Sequence, residues 1–363
     1  MSTRTHLRVE PSLDDAPQSK RLLNTATAEE RFVMYGCWLS ALALAWLICT
    51  RLMPWTGAVP FVLTTFVCGL ALIMVTTSMS SGRPEVIDRL VTALVYGAAM
   101  LVGGALISTV VFIFVRGAAS LPHLNMFTDD MSGVGPRDPF NRGGVLHAIV
   151  GSLIQVGIAV CVTVPLGIGT AVFMTEVGGR FARLVRTVVE AMTALPSIVA
   201  GLFIYTTFIV GLGVPRSGFA ASMALAVMML PIIARASDVV LRVVPGGLRE
   251  ASLALGASRW RTVWHVVLPT ARPGLATALI LGVARGIGET SPVLLTSGAA
   301  SFLVVNPTDG VMNSLPLFIY QTVRSGEPIY ITRAFGAASI LLGLVLTLFI
   351  VARLLARPKK LGR

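Results

Sequence analysis

Two oppositely charged residues inside an apolar run carry the clearest chemistry in this sequence. Arg285 and Glu289 stand four residues apart, a spacing that predicts one helix face, with Gly282, Gly286 and Gly288 around them. An arginine in hydrocarbon costs about 2.5–3.5 kcal/mol on insertion scales, so it calls for a partner or a polar path. Two readings stay open: a self-neutralising structural pair, or a guanidinium that meets an anion, with Glu289 as its partner when no anion is present. A permanently charged fork of donors suits an oxyanion. The glycines allow a second helix to approach closely.

Other reactive types are arranged without a recognisable site. The histidines, His6, His123, His147 and His265, are scattered. The three lysines are Lys20, Lys359 and Lys360, none preceded by glycine, so the sequence holds no G-x-x-x-x-G-K-[ST] phosphate loop. No G-x-S-x-G nucleophile elbow occurs either. Cys37, Cys49, Cys68 and Cys161 all lie in apolar runs and read as small buried hydrophobes rather than disulfide partners or metal ligands. Nothing reads as an active site, and no cofactor or metal is expected on this chain.

The elements that must position the pair are membrane spans. Of the 363 residues, 55% are hydrophobic and 13% charged, and mean hydropathy is +0.80. That charged share is about half of what a soluble domain uses to cover its surface, so a soluble enzyme is excluded. Eight apolar stretches, at roughly 33–50, 58–79, 90–115, 146–174, 190–213, 219–240, 274–304 and 334–355, are each long enough to cross hydrocarbon as a helix. Pro165 and Pro231 interrupt the fourth and sixth, and Pro196 and Pro292 fall near the ends of the fifth and seventh. They predict kinks, either as packing geometry or because stretches four to seven bend around a path. Residues 1–31 form a polar tail without the apolar core of a signal peptide, and 356–363 a basic one.

Basic residues set the expected orientation. With the N-terminus inside, inside segments carry 21 Lys and Arg and outside segments 7. That asymmetry predicts two cytoplasmic termini, a cytoplasmic 241–273 and an external 116–144. It also accounts for the net charge of +12 without nucleic acid.

The stretch 241–273 is expected to be a loop of two short amphipathic helices bracketed by Pro245 and Pro269, neither able to span a bilayer. Leu248, Ala251, Ser252 and Leu255 make one helical stripe, and Trp260, Val263, Trp264 and Val267 the next, with Arg259 and Arg261 off it. Gly256 permits the bend between them. Glu250-Ala251-Ser252, Gly256, Val266 and Leu268-Pro269 stand at the spacing Glu-Ala-Ala, three residues, Gly, nine residues, Ile, one residue, Leu-Pro. This resembles the EAA loop of bacterial ABC importer permeases, with Ser252 in place of the second Ala and Val266 in place of Ile. Arg285 through Thr296, with Glu289, Thr290 and Pro292, is similar to the corresponding segment of the permeases of phosphate importers. His147–Leu153, Leu195–Phe203 and Ser314–Gln321 extend that resemblance over about 90–355.

The resemblance implies an all-α polytopic fold: a type I ABC importer permease core of six helices at 90–355, preceded by two additional spans at 32–89. It implies that Glu250, Ala251, Ser252, Gly256, Leu268 and Pro269 build a coupling loop for a separate ATPase. Arg285, Glu289 and Thr290 would lie on the substrate path. The implied partners are a second homologous permease, two ATP-binding subunits that hold ATP and Mg, an extracytoplasmic phosphate-binding protein and membrane lipid, in the bacterial inner membrane. A permease for molybdate, tungstate or sulfate is the alternative within this architecture. An ion-coupled secondary transporter is the alternative outside it, and would show a repeat that this sequence lacks by eye.

Overall fold

The computed structural model describes residues 28–53, 55, 57–80 and 82–355. Both tails, and therefore the expectations for 1–27 and 356–363, lie outside the described residues. The described residues are helical throughout their regular structure. They fall into two compact units, one ending at Ile107 and one beginning at Ser108.

The first unit contains α1 (Ala28–Leu47), α2 (Ala58–Ser80) and the first part of α3 (Arg83–Gly117). α1 and α2 pack on each other, with Trp38 stacked on Phe66 at 6.1 Å between ring centroids. A methyl group at Gly69 would run into Trp38, so the small residue sets the approach of these helices. Most other side chains here are apolar and exposed, as a lipid-facing surface requires.

The second unit continues with α4 (Asn125–Thr128), α5 (Leu146–Val172), α6 (Gly179–Thr193), α7 (Ser197–Ile204), α8 (Gly218–Val243) and α9 (Gly246–Ala254). It ends with α10 (Arg259–Thr262), α11 (Leu268–Ile287), α12 (Ser291–Thr296), α13 (Leu315–Val323) and α14 (Pro328–Leu355). α8 is its centre, packed against α5, α6, α7, α11 and α12. Val156, Ala159, Leu225, Met229, Ile233, Ile287 and Val293 form the middle core. At the end carrying α9, here the elbow end, Ala171, Leu241, Val244, Val267 and Ala271 close a second core. At the opposite loop end, Met126, Val145, Ala148, Leu315 and Phe318 close a third. Buried Arg333 donates there to the carbonyls of Pro139 and Arg142, fastening the 118–145 segment to α14.

Seven helices among the described residues are long and apolar enough to cross a membrane, or eight if one bent pair counts as a span. The fifth stretch, expected at 190–213 with Pro196 near its end, is the second helix of that pair: α6 and the helix Ser197–Gly211 meet at 106°, so the proline marks a break rather than a kink. Pro196 is extended there, and proline disfavours helical geometry in the residue before it. The seventh span, expected at 274–304, is also corrected. A continuous helix runs over Arg259–Ile287 and then stops, and only the six residues of α12 are helical within 288–314. Pro165 and Pro231 lie inside α5 and α8, which continue through them. Arg235, tallied above with the inside loop, lies within α8. Cys37 and Cys49 are buried and Cys68 half-buried, but Cys161 is exposed on α5, so the buried reading fails for it.

Candidate functional site: a charged helix break and a helical elbow

Antiparallel contact between α8 and α11 fixes the depth of the charged pair. Methyl groups added at Gly274, Gly282 and Gly286 would collide with Val240, Ile233 and Met229 in turn. Glycine therefore lets α11 lie close against α8 along its length. Arg285, beside Gly286, is level with Met229 and Leu230, the middle of α8. At 1.5 Å per residue that is roughly 18–20 Å from either end of α8.

The pair is not on one helix face. Arg285 occupies the last turn of α11, whereas Glu289 sits in the break between α11 and α12. Gly288 and Glu289 donate their backbone N–H groups to the Arg285 and Gly286 carbonyls, closing α11 before the chain turns into α12. Arg285 Nε lies 3.7 Å from a Glu289 carboxylate oxygen, longer than a hydrogen bond. The Arg285 side chain is 58% exposed and that of Glu289 15%. Thr290 follows, half-buried, and its carbonyl accepts the first bond of α12 from Leu294. The break thus presents a guanidinium with unused donors at mid-depth, beside a carboxylate held largely inside.

The elbow is built as α9, a sharp turn and α10. Gly256 has φ +82°, the left-handed conformation expected of the bend. Its N–H donates to Leu253, Ala257 donates to the Ser252 carbonyl, and the Ser258 hydroxyl caps α10 by accepting from Arg261. Ser252 Oγ and Thr262 Oγ1 lie 2.9 Å apart across the turn, joining the two arms. Glu250 and Ala251 are exposed, and Leu268 is half-buried against the elbow-end core. Of the stripe, Leu248 at 43% exposure, Ala251, and Leu255 at 89% just past the end of α9 face outward, while Ser252 turns in towards Thr262.

The second arm departs from expectation. It is no separate short helix, because the helix started by α10 passes through a π-helical turn, Val263–Val267, directly into α11. Pro269 therefore brackets nothing. It stands at the start of α11, where the wider preceding turn accommodates a residue that lacks an N–H. Val263 and Val267 are buried, whereas Trp260 and Trp264 meet edge to face at 5.7 Å on the exposed side.

Sequence reasoning missed the ion pairs behind the elbow. Asp238 of α8, almost wholly enclosed, accepts from Arg186 of α6 at 3.2 Å and Arg242 at 3.1 Å. Glu176 accepts from Arg249. The available signal was a lone acid near the end of each apolar stretch, flanked by arginines. At the loop end the Asp130 carboxyl is held below the usual carboxylate range. The cause is first the Ser132 backbone N–H and then that of Leu303, against the opposing effect of burial.

Broken apolar helices around a mid-depth cation, with a helical elbow at one end, define a multi-pass membrane transport subunit. Residues 163–360 match the family described as binding-protein-dependent transport system inner membrane component, and the chain belongs to that family. It is 39% identical over 244 residues to the phosphate transport system permease protein PstA 1 of Mycobacterium tuberculosis H37Rv, covering 67% of this chain and 79% of that one. It is 41% identical over 234 residues to PstA of Mycobacterium leprae, covering 64% and 76%. With PstA of Haemophilus influenzae the identity is 35% over 224 residues, covering 61% and 79%. Among solved structures, an inward-facing MetNI methionine ABC transporter chain aligns at a TM-score of 0.46 and 24% identity, over 59% of this chain and 93% of that one.

Proposed function

We propose that this chain is the membrane-spanning permease subunit of an ATP-driven phosphate importer, and that phosphate passes Arg285 partway across. The observation that carries the reading is the mid-depth guanidinium of Arg285, mostly exposed and only loosely held by Glu289. A passing oxyanion gains several donors there without first breaking a tight ion pair. The names of the relatives support phosphate over molybdate, tungstate or sulfate.

The chain supplies no phosphate loop, so hydrolysis belongs to partners: two ATP-binding subunits that carry ATP and Mg. A second homologous permease completes the path, and an extracytoplasmic phosphate-binding protein delivers the cargo. Both termini and the elbow lie in the cytoplasm, in keeping with the distribution of basic residues, 20 to 7 once Arg235 is placed within α8. The outward stripe of α9, with Glu250, Ala251 and Leu255, offers its apolar surface to an ATPase subunit, while Ser252, Gly256, Leu268 and Pro269 shape the arm that presents it. The deciding experiment measures ATPase stimulation and uptake by the reconstituted complex with its binding protein and phosphate, sulfate or molybdate. Stimulation by phosphate alone is expected. Equal or greater stimulation by another oxyanion would reassign the cargo.

A further inference from the structure

Behind the elbow, one arginine ties the ends of two consecutive helices, α8 and α9, to a third element that lies 73 residues away in the chain. Arg249 lies on α9, the arm whose outward stripe is exposed. Its Nε and Nη2 reach Glu176 Oε1 at 3.0 and 2.9 Å, within the π-helical turn that ends the α5 span. Its Nη1 donates to the Val244 carbonyl and its Nη2 to the Leu241 carbonyl, both at 2.8 Å. Those carbonyls belong to the end of α8, where helical carbonyls lack intrahelical donors and the helix dipole favours a cation. Both partners are well shielded, with side-chain exposures of 23% for Arg249 and 17% for Glu176. The guanidinium is thereby engaged on both edges, which gives the contact a fixed geometry as well as attraction.

A displacement of α9 must therefore pull on the ends of α5 and α8 together. α8 is also the helix against which α11 positions Arg285. We propose that Arg249 is a positioning residue that transmits movement of the elbow to α5 and α8, and so couples ATP hydrolysis by the partner to opening of the path. This rests on the reading of α9 as the ATPase-docking arm. A mere surface ion pair would engage neither backbone carbonyl and would tolerate loss of either charge.

The test uses the assembled complex with its binding protein and phosphate. It compares wild type with Arg249→Ala, Arg249→Lys and Glu176→Gln. Three quantities are read: ATPase subunit retained per permease, ATP hydrolysis with and without loaded binding protein, and phosphate imported per ATP. Arg249→Ala is expected to retain the ATPase subunits while phosphate imported per ATP falls at least about fivefold, the lower range of energetic coupling between sites. Glu176→Gln keeps the carbonyl contacts and should fall between wild type and Arg249→Ala. Arg249→Lys retains the charge but not the fork, and should rescue only in part. Unchanged import per ATP in Arg249→Ala, or loss of the ATPase subunits in all three variants, would overturn the transmission role while leaving the permease reading intact. A wild-type complex that neither retains an ATPase nor imports would overturn both.

Discussion

Two arginine–glutamate pairs in this molecule are built in opposite ways. At the elbow, Arg249 and Glu176 approach to 2.9 Å, both shielded, with two backbone carbonyls taking up further donors. At mid-depth, Arg285 and Glu289 remain 3.7 Å apart, and the arginine is more than half exposed. A guanidinium with each of its three nitrogens engaged by protein holds a structure in place. One whose donors face open space is available to a mobile anion. Similar chemistry is thus tied down in one region and left open in the other, and the difference lies in how many acceptors the fold supplies.

The largest expected effect breaks the mid-depth pair. Arg285→Gln strands the Glu289 carboxylate and should reduce both assembly and uptake. Adding Glu289→Gln removes that stranded charge and should restore assembly. Uptake per assembled complex should stay about 10–100-fold below wild type, the scale of losing charge-assisted bonds to the anion. Near-normal uptake by the double variant would make the pair structural and erase the contrast with Arg249. Arg285→Lys should retain part of the activity, since it keeps the charge without the fork.

Replacing Gly256 with valine tests rigidity at the elbow. A β-branched residue at φ +82° costs about 1–3 kcal/mol, so the arm should rearrange and ATPase retained by purified permease should drop. Full retention together with full uptake would show that the bend is dispensable. Smaller in scale, Ser252→Ala leaves the buried Thr262 hydroxyl without its partner, at about 1–2 kcal/mol. A lower midpoint of thermal unfolding is expected, and Ser252→Ala with Thr262→Val should recover most of it.

The smallest effect concerns the loop end and pH. The folded-state pKa of Asp130 lies below its ordinary 3.8. Its contribution to stability is therefore complete above that value and is lost as pH falls through the lower folded pKa. Wild type should lose thermal stability between pH 5 and about pH 3 by a modest margin more than Asp130→Asn does. Identical pH profiles for the two proteins would show that the Asp130 carboxylate, with its bond from the Leu303 N–H, adds nothing to stability.

Much of the architecture was legible in local sequence, because local physics governs it. Apolar stretches of about 20 residues satisfy their own backbone as helices. Gly256 could be read as a bend because few other residues accept positive φ, and Gly282 and Gly286 as points of close approach because they have no side chain to obstruct a neighbour. Arg285 was conspicuous because it is costly where it stands. Periodicity alone could not show that α11 ends at Ile287, putting Glu289 beyond the helix rather than one turn along it. Nor could it show that α10 runs on into α11, since a π-helical turn hides the cost of Pro269. The clamp at Arg249 depended on the tertiary structure for a different reason. A guanidinium's partners are chosen by which helix ends the packing brings within 3 Å, and Glu176 is 73 residues from Arg249 in the chain.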